Sequence, residues 1–578
     1  MQKLRVLLIG AWLALTACQA PPQKTSEFDL LIRHGTVYDG SGAAPRQADV
    51  GVRGARIAVV GDLAGAHAAR EVDAGGLAVA PGFVNMLSWA PDSLYLDGRS
   101  LSDLKQGVTL EVFGEGSSLG PLTEETRRAA LAEQGDLKHP IDWTTLGEGL
   151  DALARRGIAT NVASFVGAAT VREHELGFAN RAPTADELKR MQDLVREAMR
   201  EGALGVGSAL IYAPGTYART DELIALAQAA GEYGGAYISH LRSEGDRLLE
   251  ALDELIDIAR TAHVHGEVYH FKAAGRDNWP KMREAIARIE AARAAGVDVS
   301  ANMYTYTAGA TGLDAAMPPW VQEGGLDAWV ARLADPAIRA RVLVEMRAPA
   351  KDWENLLRAA GSADNVLLVA FANEKLKPYT GKTLAEVARL RGTTPEEAAM
   401  DLVVEDHSRV GTVYFLMSED NVRLGLAQPW VALGSDEGSY EPAGPFLKFQ
   451  PHPRAYGNFA RFLGRYVRDE HVTTLAEAVR RLTALPARNL KLRDRGELRP
   501  GAFADIVIFD PATIADHATY ANPHQFATGV REVFVNGVEV LREGEPTGAM
   551  PGQVVRGPGW TGWRAVAAAA LPEQRRAP

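Results

Sequence analysis

The sequence predicts an α/β protein: a (β/α)8, TIM-like barrel carrying an inserted subdomain, with a small β-sandwich built from its N- and C-terminal segments. Three observations predict it. Residues 28–80 read as short alternating strands separated by glycine turns. From about residue 81 the pattern changes to strand, loop and helix, repeated with eight strand candidates. The last quarter, from "GELRPGAFADIVIFDP" to "GVREVFVNGVEVLREGEPT", returns to short strands.

The chain has 578 residues, too many for one hydrophobic core, so more than one domain is expected. The first segment is "MQKLRVLLIGAWLALTACQAPPQ". Lys3 and Arg5 form a positive start and residues 6–16 a short apolar run, which is the pattern of an export signal and too short to span a bilayer. Leu15-Thr16-Ala17-Cys18 resembles a bacterial lipobox, so residues 1–18 are expected to be a lipoprotein signal with Cys18 lipidated. Gln19 follows, not Asp, which by the same resemblance favours the outer membrane, facing the periplasm. Cys18 is the single cysteine, so no disulfide is expected. The net charge of -11 argues against a nucleic-acid partner, which would want a basic face.

The strand candidates of the barrel are "GFVNML", "TLEVFGEG", "NVASFVGAAT", "GALGVGSAL", "GAYISHL", "EVYHFKAAG", "VDVSANMYTY" and "WVALGSDEG". Between them, "TADELKRMQDLVREAMREG" and "GDRLLEALDELIDIARTAH" space apolar residues three and four apart, as helices do; the second is expected to start at the acidic Glu244-Gly245-Asp246. The stretch from about 310 to 428 is too long for a loop and predicts the insertion. The expected divisions are therefore a β-sandwich of 28–80 with 491–560, a barrel over 81–490, and a tail from 561 to 578.

A barrel of this kind keeps its chemistry at the C-terminal ends of its strands. Those ends carry Glu115, Tyr212, His240, His270 with Lys272, Tyr304 with Tyr306, and Asp436. A lone strand-end histidine is usually a hydrogen-bonded one, but two on adjacent strands are metal-ligand candidates. Lys272 follows His270 by two, which on a strand puts both on one face.

The run "GALGVGSALIYAPGTYARTDELIALAQAAGEYGGAYISHLRSEG", then "VYHFKAAG", "NMYTYTAG", "LGSDEGS" and "HPRAYGNFARFLG", resembles the N-acyl-D-amino-acid deacylases (D-aminoacylases) of the amidohydrolases over about 28–555. The resemblance implies hydrolysis of the amide of an N-acyl, D-configured amino acid to a carboxylic acid and a free amino acid. It implies that His240 and His270 are zinc ligands and that Asp436 handles protons. Arg454, in "HPR", is implied to grip the substrate carboxylate, with Tyr212, Lys272 and Tyr304 around it.

The chain departs from that pattern. The metal-binding His-x-His is Leu87-x-Trp89 here, the ligand Cys is Gly116, and a loop His is Ala168. Glu115 adjoins the lost Cys, and a carboxylate with two imidazoles makes a workable zinc site with one open position. A single zinc ion per chain is expected, with Trp89 forming an apolar wall where a second ion would sit. Two other readings stay open: a non-catalytic surface lipoprotein that binds acylated amino acids or peptides, and an amidohydrolase of dipeptides or cyclic amides.

Overall fold

A computed structural model of the protein describes residues 27–350 and 352–563. The expected signal with Cys18 and most of the expected tail lie outside the described residues.

Eight short parallel strands form the barrel, the third of them interrupted at Phe165 and so divided into two segments. Phe83–Asn85, Val108–Phe113 and Asn161–Ser164 pair in one group. Val166–Gly167, Gly205–Ala209, Ala236–His240, Gly266–Val268, Val299–Met303 and Val431–Leu433 pair in another. The chain joins the two groups through Phe165. At the other seam the Met86 amide donates to the Leu433 carbonyl at 3.0 Å. Nearly every strand residue is buried on both faces, as parallel strands wrapped by helices must be.

The helices outside the barrel are made by amphipathic spacing and good ends. Ala185–Glu201 buries Met191, Val195, Ala198 and Met199, which lie on one stripe. It opens with a capping box between Thr184 and Glu187 and closes at Gly202, whose φ of 107° a side chain would resist.

Between the seventh and eighth barrel strands the chain leaves to build a separate layer. Ala308–Gly312, Gly411–Phe415 and Val366–Ala370 form an antiparallel three-stranded sheet. It packs with helices such as Pro336–Arg347 and Pro395–Asp406 around Trp329, Leu333, Val342, Leu384 and Leu402. Beside the barrel lies a nine-stranded sheet to which both chain ends contribute. Its internal seam is the antiparallel pairing of Ala78–Pro81 with Ile506–Phe509.

Two local expectations are corrected. The helix expected from Glu244 spans Leu248–Ala262. Its approach is instead a turn in which the Ser243 hydroxyl accepts the amides of Gly245 and Arg247, while both carboxylate oxygens of Glu354, from the insertion, accept the Glu244 amide at 3.0 Å. Fixed in this way, the Glu244 side chain turns inward. His270 and Lys272 do point to one side, Lys272 Nζ lying 2.8 Å from His270 Nδ1, but not as neighbours on a strand face: the strand ends at Val268, and His270 takes a left-handed backbone with φ 35°.

Candidate metal centre

The C-terminal ends of three barrel strands deliver Glu115, His240 and His270 to one buried point. Glu115 follows Val108–Phe113, and its Oε1 lies 3.0 Å from His240 Nδ1 and 2.8 Å from His270 Nε2. The three donor atoms lie within 4.8 Å of one another. One carboxylate and two imidazoles aimed together in this way fit a divalent metal ion. The neighbouring position cannot contribute. Gly116 has φ 71°, and a Cβ there would approach the Ala209 Cβ to 2.7 Å, so no side chain fits without displacing the end of Gly205–Ala209.

Glu244, read from sequence as a helix start, is part of the site. Its Oε1 accepts from Lys272 Nζ at 2.6 Å and lies 2.9 Å from His270 Nδ1; Oε2 is 3.6 Å from His240 Nε2. The sequence signal was present, since Glu244 follows His240 by four and precedes a glycine. Burial alone would lift the Glu244 and Glu115 carboxyls. The Lys272 ammonium and the histidines around Glu244, and His270 with His240 around Glu115, outweigh burial and hold both well below the usual carboxylate range. Burial would likewise lower Lys272, but Glu244 outweighs it and keeps the ammonium charged.

Asp436 stands across the site, just past Val431–Leu433, with a strained left-handed φ of 54°. Its Oδ2 pairs with Arg454 Nη2 at 2.9 Å, and its Oδ1 accepts the Trp89 indole N–H at 3.2 Å. Burial raises its carboxyl above the usual value, with Arg454 opposing and Glu115 adding to the rise. Arg454 is wholly buried on the first turn of Arg454–Arg461 and lies 4.3 Å over the Tyr304 ring. Its Nε and Nη1 have no protein partner, so two buried donors remain open. The guanidinium is therefore shared with Asp436 and is not a free two-pronged clamp.

Tyr304 is buried, with its hydroxyl 3.4 Å from Met417 Sδ, and the rings of Tyr212 and His240 meet in a T-shaped contact with centroids 5.3 Å apart. Leu87 is buried in the barrel core, where it binds nothing polar through its side chain. Ala168 begins the helix Ala168–Leu176. Trp89 corrects the expectation of an apolar wall. It is 45% exposed, and its indole N–H donates to both Glu115 Oε2 and Asp436 Oδ1, each at 3.2 Å.

The sequence matches the amidohydrolase family over residues 105–541. It is 36% identical over 534 residues to the D-aminoacylase of Alcaligenes xylosoxydans xylosoxydans, covering 91% of this chain and 97% of that protein. Among solved structures it superposes on N-acyl-D-glutamate deacylase from Bordetella bronchiseptica, crystallised with zinc and a phosphonate mimic of the tetrahedral intermediate. The TM-score is 0.76 at 33% identity, over 92% of this chain and 99% of that one. A D-aminoacylase structure described for its binuclear metal centre, with one-metal activation and second-metal attenuation, superposes at TM-score 0.77, with 33% identity and coverage of 92% and 100%.

Proposed function

The chain belongs to the amidohydrolase family, and from that premise we propose that it hydrolyses the amide bond of N-acyl-D-amino acids, giving a carboxylic acid and a free amino acid. The observation that carries the reading is the convergence of Glu115, His240 and His270 opposite an Asp436–Arg454 pair. A zinc ion held by Glu115, His240 and His270, one per chain, would activate water and polarise the amide carbonyl.

The protein's own groups do the rest. Asp436 accepts the proton of the attacking water and delivers it to the amide nitrogen as the carbon–nitrogen bond breaks. Its raised carboxyl value suits that exchange better than an ordinary aspartate would. The unpaired Nε and Nη1 of Arg454 offer charge-assisted hydrogen bonds to the carboxylate of the amino acid. Tyr304 packs under that guanidinium and fixes its plane. Glu244 neutralises Lys272 and orients His270 through its Nδ1, and Tyr212 closes the side of the site by His240. Export as an outer-membrane lipoprotein acylated at Cys18 completes the proposal; it rests on the lipobox-like residues 15–18.

The test is turnover of a panel of N-acetyl-D- and N-acetyl-L-amino acids by protein made without residues 1–18, beside Asp436→Asn. The amide substitution should lower kcat by about a hundredfold or more and leave the metal content at one ion per chain. Near-normal turnover by Asp436→Asn would remove Asp436 from the proton path.

A further inference from the structure

Trp89 holds a position that no bystander aromatic needs. Glu115 turns Oε1 to the two histidines, and Asp436 turns Oδ2 to Arg454. Their remaining oxygens, Glu115 Oε2 and Asp436 Oδ1, face each other across one hydrogen, that of the Trp89 indole. Two carboxylates facing inward need a positive group between them, whether a cation or a polarised N–H.

The indole is held there from below. The Trp89 amide donates to the Glu437 carbonyl at 2.9 Å, so the tryptophan and the segment bearing Asp436 are tied backbone to backbone. Ser88, one residue earlier, is bridged to Glu437 and donates its hydroxyl to the buried Glu111 at 2.7 Å. The ring is half in solvent, yet its point of attachment is fixed on both sides.

We propose that the Trp89 N–H is a built-in substitute for a second cation. It ties the Asp436 carboxylate to the outer oxygen of Glu115 and thereby holds Asp436 in place for proton transfer, while removing the carboxylate oxygens a second ion would use. Trp89 is a positioning residue. It does not titrate and cannot be chelated away, so the site keeps its one-ion form when zinc is in moderate excess. This rests on the proton-transfer role proposed above for Asp436.

The experiment compares the wild type, Trp89→Phe and Leu87→His/Trp89→His, each without residues 1–18, equilibrated with excess zinc and freed of loose ion by dialysis. Zinc per chain is counted by elemental analysis, and kcat and KM are measured on an N-acetyl-D-amino acid. Trp89→Phe keeps the ring and removes the donor. It should keep a KM within about twofold of wild type while kcat falls about tenfold or more, and with both carboxylate oxygens freed it should take up more zinc than the wild type. The wild type should stay at one ion, and the double variant should take up two. Wild-type kcat in Trp89→Phe, or two ions in the wild type, would overturn the proposal. If no chain turns over any N-acyl amino acid, the reading of Asp436 as proton carrier has failed, and the ion counts still decide whether Trp89 keeps a second cation out.

Discussion

Replacing Glu244 by Gln tests both the charge balance of the site and the orientation of its metal ligands. The Lys272 ammonium and Glu244 Oε1 are 2.6 Å apart, and both side chains are buried. At that separation, with an effective dielectric of about 20, the gross attraction is about 6 kcal/mol. Desolvation of the pair cancels part of it. Removing one partner strands a buried charge, however, and that typically costs about 3–5 kcal/mol. Glu244→Gln and Lys272→Met should therefore each be strongly destabilising. The double variant, which leaves no orphaned charge, should recover most of the loss. Metal affinity should behave differently. Glu244 Oε1 and Lys272 Nζ lie 2.9 and 2.8 Å from His270 Nδ1, so the pair together orients the ring, a support usually worth about ten- to a hundredfold in metal binding. That loss should appear in Glu244→Gln and persist in the double variant. The assay is a double-mutant cycle on denaturation midpoints of the four chains, run beside zinc affinity by competition with a chelator. Additive midpoint changes would refute the coupled pair, and unchanged zinc affinity in Glu244→Gln would refute the orienting role.

Three further outcomes follow from other contacts. Arg454→Lys keeps the charge but loses the spread of donors; kcat/KM for N-acyl amino acids should fall, while an analogue with an amidated carboxylate should scarcely change, and equal losses on both would take Arg454 out of the substrate pocket. Glu354 is raised from the ordinary 4.5 to about 7 by burial and by Glu244. The folded protein therefore holds that proton more tightly than the unfolded chain, and stability present below pH 4.5 is lost as pH rises through 7. Glu354→Gln lacks that loss, so its denaturation midpoint relative to wild type should rise between pH 4.5 and pH 8; a difference that is flat with pH would refute it. Cys18→Ser should move the protein from the membrane to the soluble fraction, and unchanged fractionation would exclude anchoring at Cys18.

The barrel was legible because its signal is repetitive. Eight apolar runs alternate with amphipathic helices, and each reports its own burial. Strand-end positions then exposed Glu115, His240, His270 and Asp436, because a barrel sends the ends of its strands to one mouth. Glu244 was misread because an acidic residue before a helix has a local explanation. Its inward turn is dictated instead by Glu354, 110 residues away on the insertion. The pairing of Arg454 with Asp436, and the two-sided hydrogen bond of Trp89, likewise depend on side chains that meet only after the barrel closes. Nothing in the local pattern of "NMLSWA" distinguishes a tryptophan that fills space from one that donates. The two left-handed residues, His270 and Asp436, escaped for the same reason: tertiary contacts impose their backbone angles, which their own propensities do not.

The donor set of the proposed centre bears on chemical durability. A thiolate at a metal centre can be oxidised to sulfenic acid and beyond, and each step removes a ligand. A carboxylate and two imidazoles offer no such target, and the only sulfhydryl in the chain is at position 18. Peroxide should therefore leave the proposed centre loaded and working. Nor can a thiol be added beside Glu115 by a single substitution, because the crowding of Gly116 against Ala209 bars a cysteine there.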